Sequence, residues 1–181
     1  MEKVKERIGE WVVKNKYNIC IFLGMLFFSF VICTNFIKTH FALDTYCVYS
    51  YDSQTQISHF LASNRIFSAL ARWISEILNI SFVTNMKLLT LAGIVFLAIA
   101  WFILYKFVIN MKKKQNDVFY NILMAGITFI IIFNFCTVES LIFWESGIMC
   151  LGILCTIIAS CVFNSDIKFK RIISFLVLLI G

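Results

Sequence analysis

Four apolar runs, at residues 19–37, 88–108, 118–138 and 146–163, constrain the fold of this chain more than anything else in it. A helix needs roughly 20 mostly apolar residues to cross the hydrocarbon of a bilayer. Composition agrees: 61% of the residues are hydrophobic and 14% are charged, against about half and about a quarter in soluble domains. The expected fold is all-α, a polytopic transmembrane helical bundle forming a single domain over residues 1–181. The fourth run is short and borrows from its flanks, and Lys106 in the second can snorkel. A fifth run starts at Ile172 and stops at Gly181, about half the length needed. The chain therefore reads as the N-terminal piece of a longer protein, with a complete four-span protein as the alternative.

Lysine and arginine placement orients the spans. Lys3, Lys5, Arg7, Lys14 and Lys16 precede the first run, Lys112, Lys113 and Lys114 follow the second, and Lys168, Lys170 and Arg171 follow the fourth. The other side holds Lys38, Arg65, Arg72 and Lys87, spread over a long stretch. The N-terminus is expected in the cytoplasm, with loops 38–87 and 139–145 external. The net charge of +6 is mostly cytoplasmic anchoring; no basic soluble domain is present to bind nucleic acid. The first run is too long for a signal-peptide core and lacks a cleavage site, so it reads as a retained anchor. The seven cysteines show no metal-ligand spacing, and there is no proline to kink a span.

Two segments outside the spans are amphipathic. Val4, Ile8, Trp11 and Val12 recur at helical spacing, which predicts an interfacial helix over 1–16. In the first external loop Ile57, Phe60, Leu61, Phe67, Leu70, Ala71, Ile74, Ile77 and Leu78 form one stripe, predicting a juxtamembrane helix over about 58–78 in the plane of the surface. Arg65, Ser68, Arg72 and Glu76 share one of its faces.

Four residues are candidates for chemistry. Asp44 stands just past the outer end of the first span, where a poorly solvated carboxylate suits a general base; its plainer role is a helix cap or topology residue. Glu139 and Glu145 flank an aromatic stretch at the membrane edge, and intramembrane acids are functional candidates by default; the plainer reading is loop acids facing water. Arg65, with Arg72 behind it, offers a guanidinium for phosphate. Snorkelling to headgroups, or an Arg72–Glu76 pair at i,i+4, explains these arginines equally well. Phe143 and Trp144 are either a stacking platform for a sugar or part of the aromatic belt. His40 and His59 are isolated, and no metal or other cofactor is indicated.

In order, Leu43-Asp44-Thr45-Tyr46 after the first span, Ser63-Asn64-Arg65 leading into the amphipathic stretch, Phe143-Trp144-Glu145, and Leu151-Gly152 with Ala159 make the chain resemble a known group. It is similar to the N-terminal part of GT-C fold membrane glycosyltransferases of the bacterial glucosyltransferase type. The resemblance implies a polyprenyl-phosphate-linked sugar donor, a surface polysaccharide or glycolipid acceptor, and transfer on the external face. It implies Asp44 as the residue that deprotonates or orients the acceptor, Glu139 or Glu145 as sugar or acceptor ligands, and Arg65 as the counter-charge to phosphate. Two other classes stay open. A transporter or channel subunit would use Glu139, Glu145 and Asn134 as an ion path, and a membrane scaffold would use none of them. Acids clustered at the outer edge, and spans unbroken by proline, favour the enzyme, and Asp44, Arg65 and one of Glu139 or Glu145 are expected to converge on a single external cavity.

Overall fold

The computed structural model describes residues 2–38, 43–112, 118–143, 145–165 and 167–180, with side chains for 15–36, 45, 47–111, 118–143, 145–165 and 167–179. All regular structure among these residues is helical, so the chain is an all-α bundle. The helices are α1 (Glu2–Lys38), α2 (Leu43–Tyr49), α3 (Ser53–Ala62), α4 (Ile66–Ile77), α5 (Phe82–Lys112), α6 (Val118–Ile132), α7 (Phe135–Glu139), α8 (Ser146–Phe163) and α9 (Lys170–Ile180), with a 3-10 turn at Ser140–Ile142. Three helices are long and apolar enough to cross a membrane, in Asn15–Phe36, Phe82–Met111 and Ser146–Phe163; a bent pair, α6 with Phe135–Ile142, adds a fourth if the pair is one broken span rather than a re-entrant loop.

Three stretches depart from the sequence expectation. The segment 1–16 does not form a separate interfacial helix: α1 runs unbroken through it for 37 residues, about 55 Å, so the amphipathic segment extends the span instead of turning away from it. The run at 118–138 is not one helix. Asn134 interrupts it by accepting from the Thr137 amide at 3.1 Å and donating to the Ile131 carbonyl at 2.9 Å, which caps α7 and bends the chain by 56°. Side-chain amides that bond the local backbone favour such caps over helix continuation. The loop helix expected over 58–78 is two helices. α3 closes in a Schellman motif: the Arg65 amide reaches the Phe60 carbonyl at 2.8 Å, the Asn64 amide reaches Leu61 at 3.0 Å, and Asn64 sits at φ 58°. α4 ends the same way, with Asn79 at φ 53° and the Ile80 amide on Ser75 at 2.8 Å. Asparagine tolerates this left-handed region and a β-branched residue does not. Asn64→Val is therefore expected to lower stability by about 1–2 kcal/mol, while Asn64→Gly stays at or slightly above the parent, read by thermal unfolding in nanodiscs.

α5 is the hub, packing against α1, α4, α6 and α8, with its broadest contact on α8. That contact is close because α8 offers small residues to α5, as helix interfaces in lipid tend to do. Ser146, Gly147 and Cys150 are buried, and Ser146 Oγ lies 3.2 Å from Thr90 Oγ1. Around Trp101, the rings of Phe28, Phe129 and Phe133 gather within 5.1–6.1 Å. Its indole nitrogen donates to the Ala125 carbonyl and to Thr128 Oγ1, both at 3.1 Å, which satisfies the donor a buried tryptophan carries. Lys106 donates to Asn18 of α1 at 3.0 Å, so it bonds a neighbouring helix as well as lying near a span end.

The short helices α2–α4 gather at the end of the bundle where α1 finishes and α5 and α8 begin. Asp52 is the N-cap of α3; the Thr55 hydroxyl and then its amide hold the Asp52 carboxyl below the usual aspartate range. α4 turns its polar side inward. Ser68, Arg72 and Ser75 are buried, whereas Ile66, Phe67, Leu70, Trp73, Ile74 and Ile77 are exposed. Polar-in, apolar-out packing is stable where the surroundings are lipid rather than water.

Candidate functional site

Arg65 owes its position to the α3–α4 turn. The left-handed Asn64 reverses the chain, and Arg65 becomes the N-cap residue of α4. Glu145 is the N-cap residue of α8. The two meet across 80 positions of sequence: Arg65 Nη1 lies 2.6 Å from Glu145 Oε1. The second carboxylate oxygen accepts from Ser68 Oγ, also at 2.6 Å. Ser68 follows Arg65 by three residues, so both reach the same point from one helix face. The glutamate side chain is 12% exposed and the arginine side chain 52%. Arg65 therefore offers further N–H groups outward while Glu145 is held from two sides.

The pair borders a cavity of about 220 Å³ lined by Thr45, Val48, Phe60, Arg65, Phe143, Glu145 and Met149. The lining combines apolar and aromatic side chains with a hydroxyl, a carboxylate and a guanidinium. Such a mixed lining suits a ligand with both an anionic or hydroxylated part and an apolar part.

Behind this cavity a second polar contact fixes α4. Arg72 is 9% exposed, and its Nε donates to Gln56 Oε1 at 2.5 Å. Gln56 is held in turn, because its Nε2 donates to the carbonyls of Val48 at 3.0 Å and Tyr51 at 2.9 Å. The Phe82 ring lies 6.0 Å from the guanidinium carbon. Gln56 thus ties the end of α2, which brings Thr45 and Val48 to the cavity, to α4, which Arg65 heads. Arg72 Nη1, Glu76 Oε2 and Asn85 Nδ2 are buried with no hydrogen-bond partner among the described residues. Neither of the two plainer roles open to Arg72, snorkelling or an i,i+4 pair with Glu76, is what forms: it turns inward and its Nε donates to Gln56 on α3.

The four candidate residues separate into three cases. Arg65 and Glu145 come together at the cavity. Glu139 ends α7, is exposed, and lines no part of it. Asp44 belongs to α2, but its side chain lies outside the described residues; its neighbour Thr45 lines the cavity. His40 and Trp144 also lie outside the described residues, while Phe143 lines the cavity. Sequence reasoning set Ser68 on the arginine face without giving it a role. It quoted Thr45 only as part of the Leu43–Tyr46 motif and passed over Gln56, Val48 and Met149, which carry no local signal. Among the described residues no three His, Cys, Asp or Glu side chains converge as a metal site. No protein-family model, no curated protein and no solved structure matches this chain.

Proposed function

We propose that the chain is a membrane glycosyltransferase, or the N-terminal part of one. It moves a sugar of glucose type from a polyprenyl-phosphate-linked donor to a surface polysaccharide or glycolipid on the external face. The observation that carries this reading is the Arg65–Glu145 pair, buttressed by Ser68, at a cavity of about 220 Å³ whose lining also includes aromatic and apolar side chains. The exposed apolar face of α4 begins beside Arg65, so a lipid-borne substrate can stay in hydrocarbon while its head group reaches the charged wall. In this reading Arg65 meets the phosphate with the N–H groups it offers outward, and a positioned guanidinium stabilises charge on a leaving phosphate. Glu145 receives a sugar or acceptor hydroxyl, and Asp44 acts as the base on the acceptor. Glu139 keeps a substrate role only if the acceptor extends past the cavity.

The test is sugar transfer by the full protein in nanodiscs, from a radiolabelled polyprenyl-phosphate glucose to envelope glycan. Arg65→Gln and Asp44→Asn are each expected to lower turnover by about 100-fold or more. Turnover unchanged in both variants would remove the mechanism, and absence of transfer by the parent protein would remove the reaction class.

One observation favours a second reading, a transporter or channel subunit: the third apolar run is broken at Asn134, as transport helices often are at their sites. The two readings part on Asn134→Leu, which abolishes ion flux in proteoliposomes under the second and leaves sugar transfer intact under the first.

A further inference from the structure

We propose that Glu145 is an internal plug: its carboxylate fills an anion-binding cradle formed by Arg65 and Ser68, and an incoming phosphate group takes its place. The inference rests on the reading of the cavity as the ligand site and adds how that site is held closed before ligand arrives.

Both oxygens of Glu145 are engaged, one by Arg65 Nη1 and one by Ser68 Oγ, each at 2.6 Å. Two donors meeting two oxygens of one anion form the arrangement that binds a phosphate or a carboxylate. Here the protein supplies the anion itself. The two sides are not equally committed. Glu145 is nearly buried, whereas the Arg65 side chain is half exposed at the cavity. A phosphate entering that space can bond the outward N–H groups of Arg65 first and then compete for Nη1. As it does so, Glu145 loses its counter-charge and faces a like charge at short range, which drives it off the cradle. Once released, the carboxylate is free to accept from a hydroxyl of the same ligand. Glu145 therefore serves in turn as resting-state partner of Arg65 and as hydroxyl acceptor, and release of one role supplies the other.

The geometry also ties this exchange to the helices. Glu145 heads α8 and Arg65 heads α4, so breaking the pair frees the start of α4 from the start of α8. The Gln56–Arg72 contact lies one turn beyond Ser68 and does not involve Glu145, so α4 stays attached to α3 while the plug leaves.

The shared chemistry is a phosphate group, whether free or carried by lipid. The probe is inorganic phosphate, titrated by calorimetry against the full protein in phosphatidylcholine nanodiscs. A second arm uses nanodiscs containing phosphatidylglycerol, with no free phosphate, and reads the mobility of the α4–α8 contact by hydrogen exchange. Glu145→Gln is expected to bind phosphate about tenfold more tightly than the parent, because a like charge has been removed from the cradle. Arg65→Gln in the Glu145→Gln background is expected to lose that gain. Binding to inorganic phosphate alone assigns the cradle to the free ion, and exchange faster only with phosphatidylglycerol assigns it to a lipid head group; either supports the plug. If Glu145→Gln destabilises the protein, Glu145→Asp keeps the charge on a shorter arm and should still tighten binding by a few-fold. The proposal is overturned if, toward whichever phosphate source the parent responds to, Glu145→Gln and Glu145→Asp respond no more strongly than the parent, or if the double variant responds as strongly as Glu145→Gln. These outcomes do not depend on sugar transfer. Loss of transfer with the phosphate result intact would count against the glycosyltransferase reading and leave the plug standing.

Discussion

Gln56→Leu is expected to lower stability by about 3–5 kcal/mol. Gln56 is 2% exposed and makes three hydrogen bonds, two to carbonyls at the end of α2 and one from Arg72 Nε. Leucine fills a similar volume and removes all three. The larger loss is at Arg72, whose guanidinium is buried and has Gln56 as its hydrogen-bonded partner. A charge deprived of a buried partner costs more than the net worth of the bond, because its desolvation is no longer offset. The Phe82 ring at 6.0 Å remains, but a cation–π contact is worth only about 0.5–2 kcal/mol. The control is Gln56→Leu combined with Arg72→Leu. Removing both partners leaves no stranded charge, so the double variant should recover a large share of the loss. Thermal unfolding in nanodiscs reads both. A single variant within about 0.5 kcal/mol of the parent, the scatter of ordinary surface substitutions, would show that Arg72 does not depend on Gln56.

The second large effect is at Gly147. A Cβ added there lies 2.7 Å from the Leu89 carbonyl oxygen and 3.3 Å from two further backbone atoms of α5. The obstacle is backbone, which cannot rotate away as a side chain can. Gly147→Ala must therefore push α8 from α5, the broadest contact in the bundle. Overpacking of this kind typically costs about 1–3 kcal/mol, and the intrinsic gain of alanine over glycine in a helix, about 1 kcal/mol, is smaller than that. Gly24→Ala provides the comparison. Nothing lies within 4 Å of a Cβ at Gly24, so the same substitution there should be neutral or stabilising. If the two alanine variants unfold alike, the close approach of α5 and α8 is not what these glycines serve. Gly147→Ala should also weaken the Arg65–Glu145 pair, because α8 starts at the residue after Glu145.

Much of the fold was legible in the sequence, for a simple reason. Hydropathy over a window of about 20 residues reports whether a segment can sit in hydrocarbon. The run at 146–163 coincides with α8, and the runs at 19–37 and 88–108 fall inside α1 and α5. The loop pattern was also read correctly at the level of faces: Ser68 and Arg72 do share the inward side of α4. Boundaries were less legible. α5 begins at Phe82 and takes in Lys87, and 58–78 splits at Asn64, because a hydrophobic stripe continues in register through a Schellman turn without marking the break. The break at Asn134 was hidden likewise, since an apolar average over 118–138 is insensitive to one side chain that bonds its own backbone.

For the candidate site, the sequence led to the expectation that Asp44, Arg65 and one of Glu139 or Glu145 share one external cavity. Arg65 and Glu145 do share a cavity, the Asp44 side chain lies outside the described residues, and the sequence could not say which glutamate it would be. The Arg65–Glu145 contact spans 80 positions and depends on where α8 starts relative to α4. Glu139 and Glu145 look equivalent in a linear reading, as acids beside aromatic residues. They differ only after the 3-10 turn at Ser140–Ile142 leaves Glu139 exposed and Glu145 against α4.

The order of residues by itself determined that this chain forms apolar helices, and which side chains share a helical face. Both follow from local rules: backbone hydrogen bonding, a period of 3.6, and the transfer of each side chain between water and lipid. Only the tertiary arrangement decided which face turns inward, which acid meets Arg65, and that Gln56 holds Arg72. Those outcomes depend on packing between distant segments, where a shift of one helix by a few ångströms exchanges one partner for another.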